Sequence, residues 1–516
     1  MALVLTGTVV TFDRDRPLLD PGAVYVGDDG HLAAVLKVGA SPPAGFSNAE
    51  QIDTGAVIYP GLIDLHSHLA YNTLPLWKAA RVPYQHHDIW PGEKQPPDYS
   101  SSISWPQKVL GQAAAEALIK YVEVKALVGG TTSIQGAPHT TRPVSGWLTR
   151  IVDLERLPAG EDLVMCAALQ RDVESLRKSV KPKLEAGQVM IYHLAEGLPE
   201  TIVHDEFSEL DSGGCLQPGL VGVHATALAA EDFAFWQQKV KAIDTRQRAT
   251  VVWSPFSNLW LYHQTTDVVE ADKKGLRIAL GSDWSPSGTK HVLGELKVAD
   301  SLNRDSYDSR FSDLELCEMV TANPGDALAV AWGPQVGRLQ QGGVADLIVC
   351  EHHQQDPYRN LIEATERHVR LVMVRGQAFY GMRSLMTAAG VGETDTITVA
   401  GQQRALLVKR PDFPDAKLDW PGVKAELDAV RDDPVGSWQQ SQDALAAWGG
   451  SLDEPDAPLV VFGDMPEGDV GLLAASAEIP SDITIPGLNS LSHDAAFFAA
   501  VRSAGPPELQ PLADYY

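Results

Sequence analysis

Val57-Ile58-Tyr59-Pro60-Gly61-Leu62-Ile63-Asp64-Leu65-His66-Ser67-His68 is the stretch on which the reading of this chain turns. It opens as an apolar run, bounded by a Pro-Gly pair and rich in branched residues, the texture of a strand buried in a parallel sheet. It closes on His-x-His. Residues i and i+2 of a strand share a face, so the pattern sets two imidazoles side by side at a strand's C-terminal end. Neutral imidazole is a ligand for zinc and related metals. Alone, the pattern also fits two polar residues at a strand end, and two ligands do not fix a metal.

Outward from this stretch, apolar runs alternate with helical patterns from about residue 57 to 335. The runs fall near 57–65, 131–135, 149–154, 163–169, 188–193, 220–224, 249–254 and 277–282, and Leu148–Arg156 reads equally well as helix. Eight strand–helix units predict an α/β fold, a (β/α)8 TIM-type barrel. Asp313–Ala331 reads as one amphipathic helix ending that domain. Upstream, Leu3–Leu5, Val9–Phe12, Ala23–Val26 and Leu32–Leu36 are short strand candidates, and the same texture returns at Ala345–Cys350 and Val369–Gly376. The expectation is a small β-sandwich domain built from both flanks, residues 1–56 plus 336–382, around a barrel at 57–335. Residues 383–516 are a C-terminal extension without a motif, in which Ile397–Val399 and Ala405–Val408 read as strands and Val423–Arg431 as helix.

Three further strand candidates end in metal-type residues. Val189–Tyr192 runs into His193 with Glu196 three positions on, Leu220–Val223 into His224, and Leu276–Ser282 into Asp283. In a barrel of this type, C-terminal strand ends meet at one face, where active sites lie. His66, His68, His193, His224 and Asp283 are thus expected to converge although more than 200 positions separate the first from the last.

Composition restricts the function further. Apolar content of 44% and charged content of 21% are those of an ordinary globular protein. With 41 Lys and Arg against 67 Asp and Glu, a net charge of −26 argues against nucleic acid or an anionic membrane as partner. The N-terminus lacks a basic region followed by a long apolar one, and no apolar run approaches a spanning helix of roughly 18 residues. Cys166, Cys215, Cys317 and Cys350 are scattered without a C-x-x-C pair, which suggests a reducing compartment. The expected location is the cytoplasm.

Residues 70–105 interrupt the rhythm with Pro75, Pro83, Pro91, Pro96 and Pro97 and with Trp77, Tyr84, His86, His87, Trp90, Tyr99 and Trp105. A connection this long in a compact domain is a lid, a binding loop or a disordered tip. Its aromatics favour a lid over a ring-shaped substrate, with Trp77 and Trp90 as contacts. A subunit contact, as in a homodimer, is the competing use. His86 and His87 are expected to line the lid or face solvent. Ser257 and Asn258, after the seventh strand, either bond substrate or cap the next turn.

The ordered set, His-x-His after Pro-Gly-Leu-Ile-Asp, His193-x-x-Glu196, His224, Ser254-Pro-x-Ser257-Asn258 and Gly281-Ser-Asp283, resembles the amidohydrolase superfamily. The branch it is most similar to holds cytosine, guanine and adenosylhomocysteine deaminases and the triazine chlorohydrolases. The resemblance covers about residues 1–380. It implies that His66, His68, His193 and Asp283 bind one divalent metal, zinc in preference to iron. The candidate fourth strand offers no lysine at its end for a bridging group, which favours a single metal. The resemblance further implies that Asp283 accepts a proton from water, that Glu196 shuttles protons, and that His224 polarises a developing oxyanion or serves as a fifth ligand. His224-Ala225-Thr226-Ala227-Leu228 lacks the cysteine or second histidine that many members carry after the sixth strand, and Trp284 is bulkier than the usual small residue, so the resemblance names no substrate. The expectation is an aminohydrolase on a small, nitrogen-containing cyclic compound. An amide or lactam hydrolase or a halide-displacing hydrolase is the alternative, and a catalytically inactive binding or assembly protein is the alternative of another class.

Overall fold

The computed structural model describes residues 2–77, 83–94, 98–141, 144, 146–157, 163–167, 172–413, 415–451, 454, 457–463 and 479–516. Eight parallel strands lie at Leu62–Asp64, Thr131–Ile134, Arg150–Ile151, Val164–Ala167, Val189–Leu194, Leu220–His224, Thr250–Trp253 and Arg277–Leu280. They form two ladders, the first three strands in one and the last five in the other, each in chain order. The first and eighth strands meet at a seam. There Leu65 N–H donates to Leu280 O, Asp283 N–H donates to His66 O at 2.8 Å, and Ser67 bridges Asp283 in parallel. Among the described residues the third and fourth strands share no ladder. The expected end of the fourth strand, 168–170, lies outside the described residues.

The first strand needs correcting. Val57–Pro60 does not continue into Leu62 as one parallel strand. It ends the long strand Glu50–Pro60 and pairs antiparallel with Leu347–Cys350 in a different sheet. The change of sheet falls at Gly61, where a Cβ would meet Thr132 Oγ1 at 2.0 Å. The residues on both sides of Pro60-Gly61 are apolar because both pieces are buried, so hydrophobicity could not mark the change of sheet.

The flank strands form one mixed sheet of nine. From edge to edge it runs Asp395–Val399, Gln402–Leu406, Gln377–Gly381, Val369–Val374, Leu347–Cys350, Glu50–Pro60, Leu3–Val10, Leu18–Val26 and Leu32–Lys37. Leu3–Leu5 and Val9–Phe12, read as two strands, are one strand with a register shift between Gly7 and Val9. The sheet also takes two strands from beyond residue 382.

Asp313–Ala331 is two helices, Asp313–Glu318 and Ala322–Trp332, and not one. The cause lies in the carbonyls between them. Met319 O accepts from Leu280 N–H at 2.8 Å and Val320 O from Ile63 N–H at 2.9 Å, so they serve the strands. Among the described residues no helix is long and apolar enough to cross a membrane, and no disulfide joins the four cysteines.

The extension is docked on the parallel-strand unit. Trp420, at the start of helix Trp420–Asp432, stacks on Tyr121 with ring centroids 5.7 Å apart. Val461–Phe462 pairs with His139–Thr140. Ahead of helix Ala495–Ala504, His493 Nδ1 lies 2.7 Å from Glu366 Oε1, to which His291 Nε2 comes within 3.1 Å. Burial pushes His493 down to about 3 against the pull of Glu366. In the unfolded chain that imidazole takes up its proton near 6.5. A group whose folded pKa is depressed stabilises fully above its unfolded value and loses that contribution as pH falls towards the folded one. Stability is therefore expected to drop below pH 6.5, by up to about 1.4 kcal/mol per pH unit from this residue. Melting curves between about pH 7.5 and about pH 5 check it, and His493→Gln should make the fall shallower.

Candidate active site

The seam between the first and eighth strands builds the centre of the site. Asp64 ends the first strand fully buried and accepts from Ser282 N–H at 3.0 Å, from His66 N–H at 3.3 Å and from the Ser282 hydroxyl. It thereby locks the loop that carries His66 against the loop that carries Asp283. Gly281 lets the two chains approach, since a Cβ there would meet His66 Cβ at 2.5 Å. Asp283 (φ +57°), past the end of the eighth strand, His224 (φ +66°), at the last position of its strand, and Ala195 (φ +49°), just beyond its own, all lie in the left-handed region. Such left-handed kinks in non-glycine residues cost energy and cluster at functional sites.

All five expected residues converge. His66 Nε2 lies 3.1 Å and His68 Nε2 3.5 Å from Asp283 Oδ1, and His193 Nε2 lies 3.3 Å from His68 Nε2. The His66 ring stands 4.6 Å from that of His193 and 4.8 Å from that of His224, centroid to centroid. His193 Nδ1 faces the carbonyl of Ala167 at 3.3 Å. Donation there leaves Nε2 as a bare lone pair, the form that binds metal. His66 is fully buried, yet neither of its ring nitrogens makes a hydrogen bond. Buried polar atoms are rarely left so, and a cation among these donors would engage Nε2, the nitrogen that faces Asp283. Burial lowers His66, His193 and His224, keeping them neutral. Burial alone would raise Asp283, but the neighbouring His66, His224 and His68 outweigh it and hold the carboxyl well below its ordinary value. Neutral imidazoles around an ionised carboxylate are a fitting donor set for one divalent cation.

His224 differs from the other imidazoles in its tautomer. Asn258 Oδ1 accepts from the Thr265 hydroxyl at 3.4 Å, which turns the Asn258 amide nitrogen towards His224 Nδ1 at 2.9 Å. An amide nitrogen only donates, so Nδ1 is the acceptor and Nε2 carries the hydrogen. That N–H points into the site, 3.8 Å from Glu196 Oε1.

Glu196 is 4% exposed. Burial raises its pKa to about 7; Asp283 adds to the rise, while His87 and the hydrogen bond from Tyr262 oppose it. The Tyr262 hydroxyl donates to Glu196 Oε1 at 2.7 Å. Glu206 accepts from Ala195 N–H at 2.6 Å and faces His87 Nε2 at 3.1 Å, so it fixes the turn between His193 and Glu196 from behind. Burial would lower His87, but Glu206 and Glu196 prevail and raise it to about 9.

Above these groups is a cavity of about 230 Å³. The strand ends floor it with His68, His193, Glu196, His224 and Asp283, Trp284 and Tyr71 stand at one side, and the insertion contributes His87, Asp88, Trp90, Pro91 and Tyr99. The insertion is tied down on both sides of His86. Leu198 N–H donates to Gln85 O at 2.7 Å and His87 N–H to Glu196 O at 3.2 Å. Trp90 stacks obliquely on Trp284, 5.3 Å between centroids.

Of the four residues expected at the substrate, only Trp90 lines this cavity. Trp77 is buried behind it, stacked on Tyr84 at 6.1 Å, because its backbone is held by Pro286 and Trp260. Ser257 is buried against the Ser287 hydroxyl at 2.8 Å, and Asn258 is occupied by His224. His86 is buried and does not reach the cavity, whereas His87 does. Sequence reasoning missed Tyr262 and Glu206, which lie on helices whose local pattern does not single them out, and gave Asp64 no role although it lies inside the deciding motif.

This arrangement is a donor set suited to one divalent cation beside a buried carboxyl, on an α/β scaffold. Residues 184–379 match the model of the amidohydrolase family, so the chain carries an amidohydrolase family domain. A 5-methylthioadenosine/S-adenosylhomocysteine deaminase of Syntrophobacter fumaroxidans is 26% identical over 426 residues, 75% of this chain and 94% of the relative. Among solved structures, a zinc-bound adenosine deaminase from Xanthomonas campestris is similar with a TM-score of 0.56 at 17% identity, over 73% of this chain and 92% of the other. The atrazine chlorohydrolase of Arthrobacter aurescens TC1 complexed with zinc gives a TM-score of 0.53 at 17% identity, over 73% and 95%. These likenesses show the fold, of TIM-barrel type.

Proposed function

We propose that this chain is a metal-dependent aminohydrolase that removes an amino group from a small, nitrogen-containing ring compound. The observation that carries the reading is the convergence of His66, His68, His193 and Asp283, with His66 Nε2 making no hydrogen bond, beside a buried Glu196 whose pKa is raised to about 7. In this reading those four residues hold one divalent ion, zinc before iron. Such an ion would act as a Lewis acid and bring the pKa of a bound water from ~15.7 towards ~7. Asp283, kept ionised, takes the proton from the attacking water. Glu196 is half protonated near neutral pH, and delivers a proton to the leaving or ring nitrogen. His224 offers its Nε2–H to the oxygen on which negative charge develops.

The insertion is read as the roof. Trp90, with Trp284 and Tyr99, gives flat apolar faces to a ring, while His87 and Asp88 meet polar substituents. Shortening the insertion from 78 to 98 is expected to leave the metal bound and the oligomer unchanged, while KM rises and kcat falls. A shortened protein with wild-type kinetics and a changed oligomeric state would make the segment an interface.

The scaffold reading is that the eight parallel strands close as a barrel over residues 57–335, and that 1–56 with 336–382 form a β-sandwich to which 395–406 adds two strands. One apolar core that unites Val24 and Val35 near one edge of the nine-stranded sheet with Met373 and Ala405 near the other supports a folded-over sheet. The four unbridged thiols fit a cytoplasmic location.

The test is a panel of 5-methylthioadenosine, adenosine and an atrazine-type chlorotriazine, with ammonia and chloride read in parallel. Ammonia release supports the aminohydrolase. Chloride release without ammonia favours the halide-displacing alternative, and neither product from any compound with the metal bound would remove the reading for these ring classes.

A further inference from the structure

Trp90 belongs to the insertion, Tyr262 to the helix Pro255–Tyr262 after the seventh strand, and Glu196 to the loop after the fifth. They are joined in a single file. Trp90 Nε1 lies 3.1 Å from the Tyr262 hydroxyl, which lies 2.7 Å from Glu196 Oε1. The direction of this file is not open to choice. An indole nitrogen donates and never accepts, so the Tyr262 oxygen is the acceptor for Trp90. Its own hydrogen is then left for Glu196. Tyr262 is 1% exposed.

We propose that Tyr262 is a positioning residue that pins Glu196 through Oε1, so that Oε2 is the oxygen that carries and delivers the catalytic proton, and that Trp90 couples this orientation to the seating of the insertion. The proposal rests on the reading of Glu196 as the proton shuttle. Oε1 accepts from Tyr262 whether the carboxyl is ionised or protonated, so the side chain keeps one rotamer through the whole proton cycle. A proton on Oε1 would set two hydrogens against each other at 2.7 Å, and Oε2 is the oxygen left to hold it. Among the described residues no hydrogen bond engages Oε2. Trp90 also forms part of the cavity wall against Trp284. A substrate that settles the insertion thus fixes the indole, the indole fixes the tyrosine hydroxyl, and the hydroxyl fixes the acid. An insertion displaced from the cavity would leave Tyr262 able to rotate and Glu196 without a defined orientation.

The experiment is a double-mutant cycle on the metal-loaded enzyme, using the panel compound that the wild type turns over fastest. Tyr262→Phe keeps the buried ring and removes only the hydroxyl. It is expected to lower kcat about 10–100-fold, the usual effect of losing a group that orients a catalytic one, with KM within about twofold and metal content unchanged. Trp90→Phe keeps a ring in the wall and removes the N–H, for a loss in kcat of about 2–10-fold, the worth of one neutral hydrogen bond. Because Trp90 acts through Tyr262, the double variant should have the kcat of Tyr262→Phe alone. A purely structural role for Tyr262 would lower the melting temperature and leave kcat per folded, metal-loaded enzyme intact. Wild-type kcat in Tyr262→Phe, or a double variant whose loss is the product of the two single losses, overturns the strut. Glu196→Gln in the same assay separates the layers: if it is inactive while Tyr262→Phe is normal, only the strut fails, and if it is active, both do.

Discussion

Asp283→Ala is expected to purify without its metal and to show no turnover above the buffer blank. Asp283 contributes the one carboxylate among the four proposed ligands, and its Oδ1 is the atom on which His66 and His68 converge, at 3.1 and 3.5 Å. Removing it takes away the carboxylate that faces His66 and His68. Three neutral imidazoles would remain, one of them with no hydrogen bond of its own, and neutral donors hold a dication weakly in a dry site. The same substitution deletes the group that accepts the water proton, so added metal should not restore the rate. His66→Ala should behave alike in metal content. The backbone links of the seam, Asp283 N–H to His66 O and Leu65 N–H to Leu280 O, do not use the deleted carboxylate. The apoprotein is therefore expected to stay folded, which a cooperative melting transition checks.

Glu196→Gln should keep the metal and lose about 10²–10⁴-fold in kcat, the range general acid–base groups contribute. The amide is nearly isosteric, still accepts from Tyr262 through its carbonyl oxygen, and still packs in the buried pocket. What it lacks is a proton that can be given and retaken. A variant that purifies empty would instead make Glu196 a ligand or a support for one. A variant with normal turnover would leave the shuttle to another group, with His224 the next in line.

Much of this site was legible because parallel strands buried on both faces read as apolar runs, and in a barrel-type scaffold their C-terminal ends meet. His193, His224 and Asp283 stand out as the polar residues at the C-terminal ends of such runs, with no knowledge of distance in space. The features that stayed hidden have equally physical causes. The chain changes sheets at Gly61 with apolar residues on both sides, so hydrophobicity could not separate Tyr59 from Leu62. Met319 and Val320 surrender their carbonyls to two strands, and nothing in their side chains announces it. The insertion has no period, so the alternation that orients a strand could not tell that Trp90 faces the cavity and Trp77 the core. Tyr262 acts through its hydroxyl and Glu206 through its carboxylate, each from an otherwise ordinary helix. Their partners, Glu196 and Ala195, lie 66 and 11 positions away and are identified only in three dimensions.

The most direct test of the central claim is to strip the protein of metal and titrate zinc back while reading ammonia release from the panel compounds. The account predicts no activity in the apoprotein, a linear rise to about one zinc per chain and a plateau beyond it, as four protein ligands at a single centre require. Ammonia release from metal-free protein, or a rise that continues to two zinc ions per chain, would contradict it.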